Sequence, residues 1–306
     1  MLRESGVALC CTAVLLLAIT IVRVDAASIV IVGGDATPQV DTTTARDSTS
    51  IQPDNLRLAL IGGVTVGGFI YGHVLQSDIW WKGDRSDFHF EWKHDWTYAL
   101  GADKLGHMWF PYATTHTYSH LFRWAGVDST TAIWSAASLA LAYQTYIEVR
   151  DGFSAVWGFS WGDCAANVVG AGLPVAQHYL PALRLFDYEI SFYPSDRFRA
   201  GTHAAIIDDY ESAHHWLSLH MANVIPDSWR GYYPEFIDVA IGHGVRELDD
   251  KGGGRHEIYL ALDWNLDRLP GDWWGWNLLR HVLRHYHLPS PAIRLYPGPV
   301  HVGFRF

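Results

Sequence analysis

Charged residues are scarce in this 306-residue chain. Asp, Glu, Lys and Arg make up 18% of it, against about 25% in an average soluble domain, whereas apolar residues make up 49%. The formal net charge is −10, and long runs of basic residues are missing, which argues against nucleic acid as a partner. Fifteen Trp and fifteen Tyr suit either a protein core or the boundary between hydrocarbon and water.

Cysteine is rarer still, with Cys10, Cys11 and Cys164 as the three examples. The first two fall inside an apolar N-terminal run, too early for a typical lipidated cysteine. If that run is removed, one cysteine remains and no internal disulfide can form. The Gly-rich signatures of phosphate-binding loops and the Gly-x-Ser-x-Gly elbow of many hydrolases are also missing.

The N-terminus has the pattern of a secretory signal. Arg3 lies in a short first region, residues 6–22 carry no charge, and Val24-Asp25-Ala26 places small residues before a cleavage site. We expect residues 1–26 to be a signal peptide, with an uncleaved anchor helix as the alternative. The signal predicts export to a bacterial cell envelope, in the periplasm or at the outer membrane. A flexible linker, rich in Thr, Ser and Asp, is expected over residues 27–54.

Residues 55–182 are predicted to form an apolar helical domain. Leu58 to Leu75 contains no charged residue and several glycines, and Ser129 to Ile147 is also uncharged. Two further helices are expected over residues 103–124 and from Ser160 to about residue 180, each opened by a polar residue suited to a helix N-terminus. The pattern favours a four-helix bundle that spans the membrane or packs against it.

Residues 183–306 are predicted to be rich in strands, so that the whole chain has an α+β fold. Apolar and polar residues alternate over residues 186–192 and again at the C-terminus, and a hairpin is expected around residues 249–254. Residues 208–223 favour a helix, and residues 272–287 an amphipathic helix suited to a membrane interface. About five strands are expected, fewer than the eight of a closed outer-membrane barrel, which favours a small sheet packed on helices.

Three polar segments interrupt the apolar helices. Asp103 and His107 are four residues apart, as are Asp163 and Asn167, so each pair shares one face near the start of its helix. Glu148 ends the helix between them. Because successive helices of an up-and-down bundle alternate in direction, all three segments are expected to meet at one end of the bundle.

This convergence predicts a candidate site. Carboxylates and an imidazole together can bind a divalent metal or carry out acid–base catalysis, and clustered carboxylates raise one another's pKa. A purely structural interpretation is favoured over this one, with the aspartates capping helices and Lys104 neutralising Asp103 or Glu148. The candidate catalytic residues are Asp103, His107, Glu148, Asp151 and Asp163, of which Asp103, His107, Glu148 and Asp163 are also candidate metal ligands; Lys104, Ser160 and Asn167 are candidate supporting residues.

The same segments resemble a known family. The motifs Asp-Lys-x-x-His, Glu-x-x-Asp-Gly-Phe-Ser and Gly-Phe-Ser-x-x-Asp-x-x-x-Asn-x-x-Gly are similar to those of the YfiM-type predicted periplasmic lipoprotein family, a domain of unknown function. Their order is more distantly similar to VanZ-like membrane proteins. The resemblance covers roughly residues 55–182 and implies an envelope location and a helical domain. It implies no particular reaction.

Two functional hypotheses follow. The first is a non-enzymatic, membrane-associated envelope protein whose Asp/His/Glu cluster is structural or binds a lipid-like ligand. The second is a membrane-interface hydrolase, with or without a divalent metal, that acts on an envelope lipid or a cell-wall precursor. In both, the expected partner is a membrane lipid or another envelope component.

Overall fold

The computed structural model describes residues 52–249, 252–298 and 301–305. The predicted signal peptide, and the predicted linker up to residue 51, lie outside the described residues. The described chain contains helices followed by a single antiparallel sheet, which confirms the predicted α+β class. The division of the chain at residue 183 stays a prediction.

The long helices begin and end close to where the sequence places them. Asp54, Asp128 and Ser160 each accept a hydrogen bond from a backbone N–H in the first helical turn, so short polar side chains set three of the four starting points. The four helices are α1 (Asn55–Ile79), α2 (Ala102–Trp124), α3 (Ser129–Asp151) and α4 (Trp161–Tyr179).

Helices α2, α3 and α4 form the core of the helical part. Small residues let them approach closely: a Cβ atom on Gly170 would lie 2.1 Å from the carbonyl oxygen of Met108. Helix α1 behaves differently, since Ile61 and Gln76 are its buried residues and most of its other side chains are partly or fully exposed. The four-helix bundle is therefore not confirmed, because α1 lies at the edge of a three-helix core.

Within the described residues, six strands form one sheet in which each strand pairs with the next along the chain. Their bounds are β1 (Phe186–Phe192), β2 (Ala213–Leu219), β3 (Ile237–Arg246), β4 (Arg255–Trp264), β5 (Ser290–Tyr296) and β6 (His301–Arg305). Short helices α5 (Asp196–Arg199) and α6 (Asp227–Arg230) lie in the connections, and α7 (Trp274–Leu283) precedes β5.

The prediction of a helix over residues 208–223 was wrong, because β2 occupies its centre. Its side chains at 214, 216 and 218 are buried on one face of the sheet, and the strand pairs with β1 on one side and β3 on the other. Pairing on both edges outweighs the weak local preference for helix. The predicted helix over residues 272–287 is confirmed in part, since α7 ends at Leu283.

The sheet curls until the chain before β5 reaches β1. The Ile190 N–H donates to the His285 carbonyl at 3.0 Å, and the His287 N–H donates to the Ile190 carbonyl at 3.0 Å. The inner face of the curled sheet encloses Trp216 and Tyr259, both fully buried. Gly242 leaves room for the Trp216 ring, since a Cβ atom there would lie 2.4 Å from it.

Helices and sheet share one hydrophobic cluster. Trp109 and Tyr112 of α2 pack against Tyr188 and Ile190 of β1. The Tyr112 hydroxyl also donates to Asp187 at 3.1 Å. This contact holds β1 along α2 and so fixes the loops after β1 near the polar start of α2.

Candidate functional site

A buried ammonium group lies at the centre of the polar cluster. The Nζ atom of Lys104 lies 2.7 Å from Oδ1 of Asp163 and 2.9 Å from Oδ2 of Asp103. It also lies 3.0 Å from Oδ1 of Asp95. All four side chains are about nine-tenths buried. One cation therefore holds three carboxylates from the connection before α2, the first turn of α2 and the first turn of α4.

His107 lies on the other side of the same carboxylates. Its Nδ1 atom is 3.3 Å from Oδ1 of Asn167 and 3.4 Å from Oε1 of Glu148. Its Nε2 atom is 3.7 Å from Oδ1 of Asp103 and 3.8 Å from Oδ1 of Asp163. The structure thus brings together the three segments that the sequence singled out.

The local structure explains how each group reaches the cluster. Ser160 caps α4: its hydroxyl accepts a hydrogen bond from the Asp163 N–H at 2.8 Å and donates to Asp95. Its own N–H lies 3.4 Å from Oε2 of Glu148, at the end of α3. A carboxylate in the first turn of α4 is favoured by the positive end of that helix.

Asp151, the fifth candidate, has a different partner. The indole N–H of Trp81 donates to its Oδ1 atom at 2.6 Å. Burial raises the pKa of Asp151 to about 7, against the effect of the Trp81 hydrogen bond. Asp151 therefore anchors the connection between α1 and α2 to the end of α3.

Two members of the cluster were missed by sequence reasoning. Asp95 also accepts a hydrogen bond from the Gly162 N–H at 3.0 Å, but it lies in a connection without periodicity that offered no signal. Tyr210 donates to Oδ1 of Asp103 at 2.7 Å from the loops between β1 and β2. Only the packing of the sheet on α2 brings it there.

Burial and neighbouring charges separate the pKa values of the carboxyl groups. Burial, followed by the charges of Asp163 and Asp151, raises the pKa of Glu148 to about 10. Burial and the charge of Asp103 raise the pKa of Asp163 to about 6. Burial opposes ionisation of Asp103 as well, but His107 and Lys104 hold its pKa below the ordinary value. At neutral pH Glu148 therefore carries a proton while Asp103 is charged.

The cluster could supply metal ligands, but Lys104 competes for them. Ligand atoms of Asp103, His107 and Asp163 lie within 4.8 Å of one another. The Lys104 ammonium already lies at hydrogen-bond distance from Asp103 and Asp163. Because like charges repel strongly where water is excluded, a divalent ion there would have to displace Lys104. The donor set thus fits an ammonium group better than a metal.

A second His/carboxylate group lies inside the curled sheet and was also missed. His287 Nδ1 is 3.0 Å from Oδ1 of Asp263 and 3.8 Å from Oε2 of Glu189, and all three residues are buried. These residues come from β1, β4 and the segment before β5, so only the curled sheet unites them.

Comparison with known proteins finds one similarity, within the helical segment. Residues 91–178 match the family model described as "Predicted periplasmic lipoprotein (DUF2279)". This segment is therefore similar to that family. The match confirms the resemblance found from the motifs and agrees with an exported, envelope-associated protein.

The matched segment includes the candidate residues of α2, α3 and α4 and also the missed Asp95. The more distant VanZ-like resemblance is not supported. No curated protein and no solved structure matches the chain.

Proposed function

We propose that this protein is a non-enzymatic, membrane-associated component of the cell envelope, in which the buried polar cluster holds the helical domain together. The observation that carries this proposal is the position of Lys104, whose Nζ atom contacts Asp95, Asp103 and Asp163 at 3.0 Å or less. One cation joins three separate chain segments, as a structural metal does in other proteins.

The burial of the cluster supports a structural role. The side chain of Glu148 is 1% exposed and that of His107 is 21% exposed. A substrate would have little access to groups sealed in this way. Removing one partner from a buried charge cluster leaves the others uncompensated, so such clusters are strongly coupled to folding.

The proposed membrane association rests on α1. Among the helices in the described part of the chain, α1 alone is long and apolar enough to cross a bilayer, and 6% of its apolar stretch is buried. Side chains such as Val64 and Ile70 are more than half exposed. Water is a poor environment for such a surface, whereas lipid accommodates it without cost.

Metal content tests the structural proposal. Full-length chain, purified in detergent, should contain no stoichiometric metal, and dialysis against a chelator should leave its thermal unfolding unchanged. One equivalent of metal per chain that disappears in His107→Ala would contradict it. His178→Ala is the matched control, since His178 lies at the far end of α4.

The alternative is a membrane-interface hydrolase acting on an envelope lipid or cell-wall precursor. It is favoured by the separated pKa values of Glu148, about 10, and Asp163, about 6, which supply a proton donor and a proton acceptor beside His107. Release of headgroup or precursor fragments from envelope extracts by the wild-type chain, with loss of release in folded Glu148→Gln, would establish this function instead.

A further inference from the structure

One face of the sheet exposes a continuous apolar row. Leu217, Ile241, Leu260, Ile293 and Val302 are successive partners across β2 to β6. Leu217, Ile241 and Leu260 are between two-fifths and about half exposed, and Val302 is 78% exposed. Solvent-facing rows of this kind are unusual in antiparallel sheets of soluble proteins, which place polar residues outward.

The whole outward face of β3 to β6 lacks formal charge. Val245 of this face is fully buried against Ala99 and Ala102. The other described positions include no Asp, Glu, Lys or Arg: they are Ile237, Val239, Ile241, His243, His256, Ile258, Leu260, Leu262, Trp264, Pro291, Ile293, Tyr296, Val302 and Phe304. We call this set, together with Leu217, the outer sheet surface.

The charges are found on the inner face instead. Glu257 is paired with Arg294 at 2.9 Å and with Arg246 at 3.4 Å, and Asp263 with His287 at 3.0 Å. The two carboxylate side chains are 3% exposed. The sheet therefore has the reverse of the soluble pattern, with ion pairs enclosed and aliphatic side chains outside. Strands in contact with lipid have this polarity.

Aromatic rings and histidines bound the outer sheet surface along the strands. Phe236 and Trp264 stack at one end with their ring planes 4° apart, and His243 and His256 contact each other at the other end. From His256 to Trp264, β4 extends over about 26 Å at about 3.3 Å per residue. Amphipathic rings such as Trp are favoured where hydrocarbon meets water.

We propose that the outer sheet surface rests in the hydrocarbon of a lipid bilayer, a second membrane contact besides α1. This inference deepens the proposed membrane association and rests on it. A bilayer fits better than a second copy of the chain, because the surface is five strands wide and uncharged throughout. The exposed apolar surface of α1 in the same chain also needs an apolar environment such as lipid.

Site-specific fluorescence tests the proposal in the full-length chain. Cys10, Cys11 and Cys164 are replaced by alanine, and one cysteine is introduced at Ile241, Leu260 or Val302 and labelled with an environment-sensitive dye. Matched controls carry the dye at Asp196 or Asp227, whose side chains are 104% and 89% exposed. The labelled chains are reconstituted into vesicles of phosphatidylethanolamine and phosphatidylglycerol.

Lipids brominated on their acyl chains should quench the three dyes on the outer sheet surface and leave the two control dyes bright, whereas iodide in the water should do the opposite. Iodide quenching of all five dyes overturns the proposal. Protection from both quenchers, with a dimer that dissociates in Ile241→Glu, also overturns it in favour of a second copy. The dye at position 302 lies on the edge strand β6. It therefore still reports its surroundings if the dyes at positions 241 and 260 disturb the fold.

A dye at Val64 on α1 separates this proposal from the proposed function. If bromolipids quench the dye at position 64 but not those on the outer sheet surface, the proposed contact of α1 with the membrane stands and the second membrane contact is ruled out. If bromolipids quench none of the dyes, both the contact through α1 and the contact through the outer sheet surface are ruled out.

Discussion

The Nζ atom of Lys104 lies 2.7 Å from Oδ1 of Asp163, although the two residues belong to different helices. Asp163 accepts this contact from the first turn of α4, and Lys104 reaches it from the first turn of α2. The ion pair therefore joins two helix N-termini, with Asp95 and Asp103 as the remaining carboxylates around the same ammonium group.

Removing that ammonium group should destabilise the fold severely. Lys104→Met leaves Asp95, Asp103 and Asp163 buried without their cation, and we expect a loss of about 3–5 kcal/mol in the free energy of unfolding. Chemical denaturation of the purified chain in detergent measures it. Lys82→Met, at an exposed lysine, should change stability by less than about 0.5 kcal/mol. Equal effects of the two variants would show that the cluster is not structural.

The proton on Glu148 should make stability fall as pH rises. Burial and three neighbouring carboxylates raise its pKa to about 10 in the folded chain, so folding binds a proton between the ordinary Glu pKa and that value. Stability from this group is complete at acid pH and is lost as pH rises towards about 10.

Glu148→Gln mimics the protonated form and should remove this dependence. Between about pH 5 and about pH 9 the wild-type chain should lose more unfolding free energy than the variant. Denaturation curves at both pH values give the comparison, and Glu235→Gln, at an exposed carboxylate, should follow the wild type. A variant as pH-dependent as the wild type would mean that Glu148 is ionised in the folded chain.

The hydroxyl group of Tyr210 should contribute to the contact between the sheet region and the helices. Tyr210→Phe removes the donor to Oδ1 of Asp103 and should cost about 1–3 kcal/mol, because hydrogen bonds to buried charged groups are among the stronger ones. Thermal or chemical unfolding detects the change. The control is Tyr232→Phe, at a residue 88% exposed, for which no measurable change is expected. If neither variant changed the stability of the chain, the Tyr210 hydroxyl would not contribute to the cluster.

The curled sheet should not tolerate a methyl group beside Trp216. Gly242→Ala places a Cβ atom 2.4 Å from that ring, and we expect a cost of about 1–3 kcal/mol from displacement of the ring. Near-ultraviolet circular dichroism should report the altered Trp environment. Gly303→Ala in β6 is the matched control, because nothing lies within 4 Å of the Cβ atom that this substitution would add. Unchanged stability in both would mean that the inner face is looser than the structure shows.

Local signals account for the parts of the fold that the sequence predicted well. The starts of α3 and α4 follow from Asp128 and Ser160, because a cap needs only the residues of the next turn. The alternation in residues 186–192 predicted β1 with the observed bounds. Residues 208–223 were misjudged, since β2 is specified by its two neighbouring strands and not by its own pattern.

The sequence by itself determined the starts of α3 and α4, the α+β class and the polar segments at one end of the helical domain. Periodicity and capping are local, and alternating helix direction then limits where their ends can meet. The tertiary structure alone decided that Lys104 lies among three carboxylates, that Asp95 and Tyr210 join them, and which face of the sheet is enclosed. Alternation along a strand separates two faces but does not say which one is buried, because that depends on how the sheet curls.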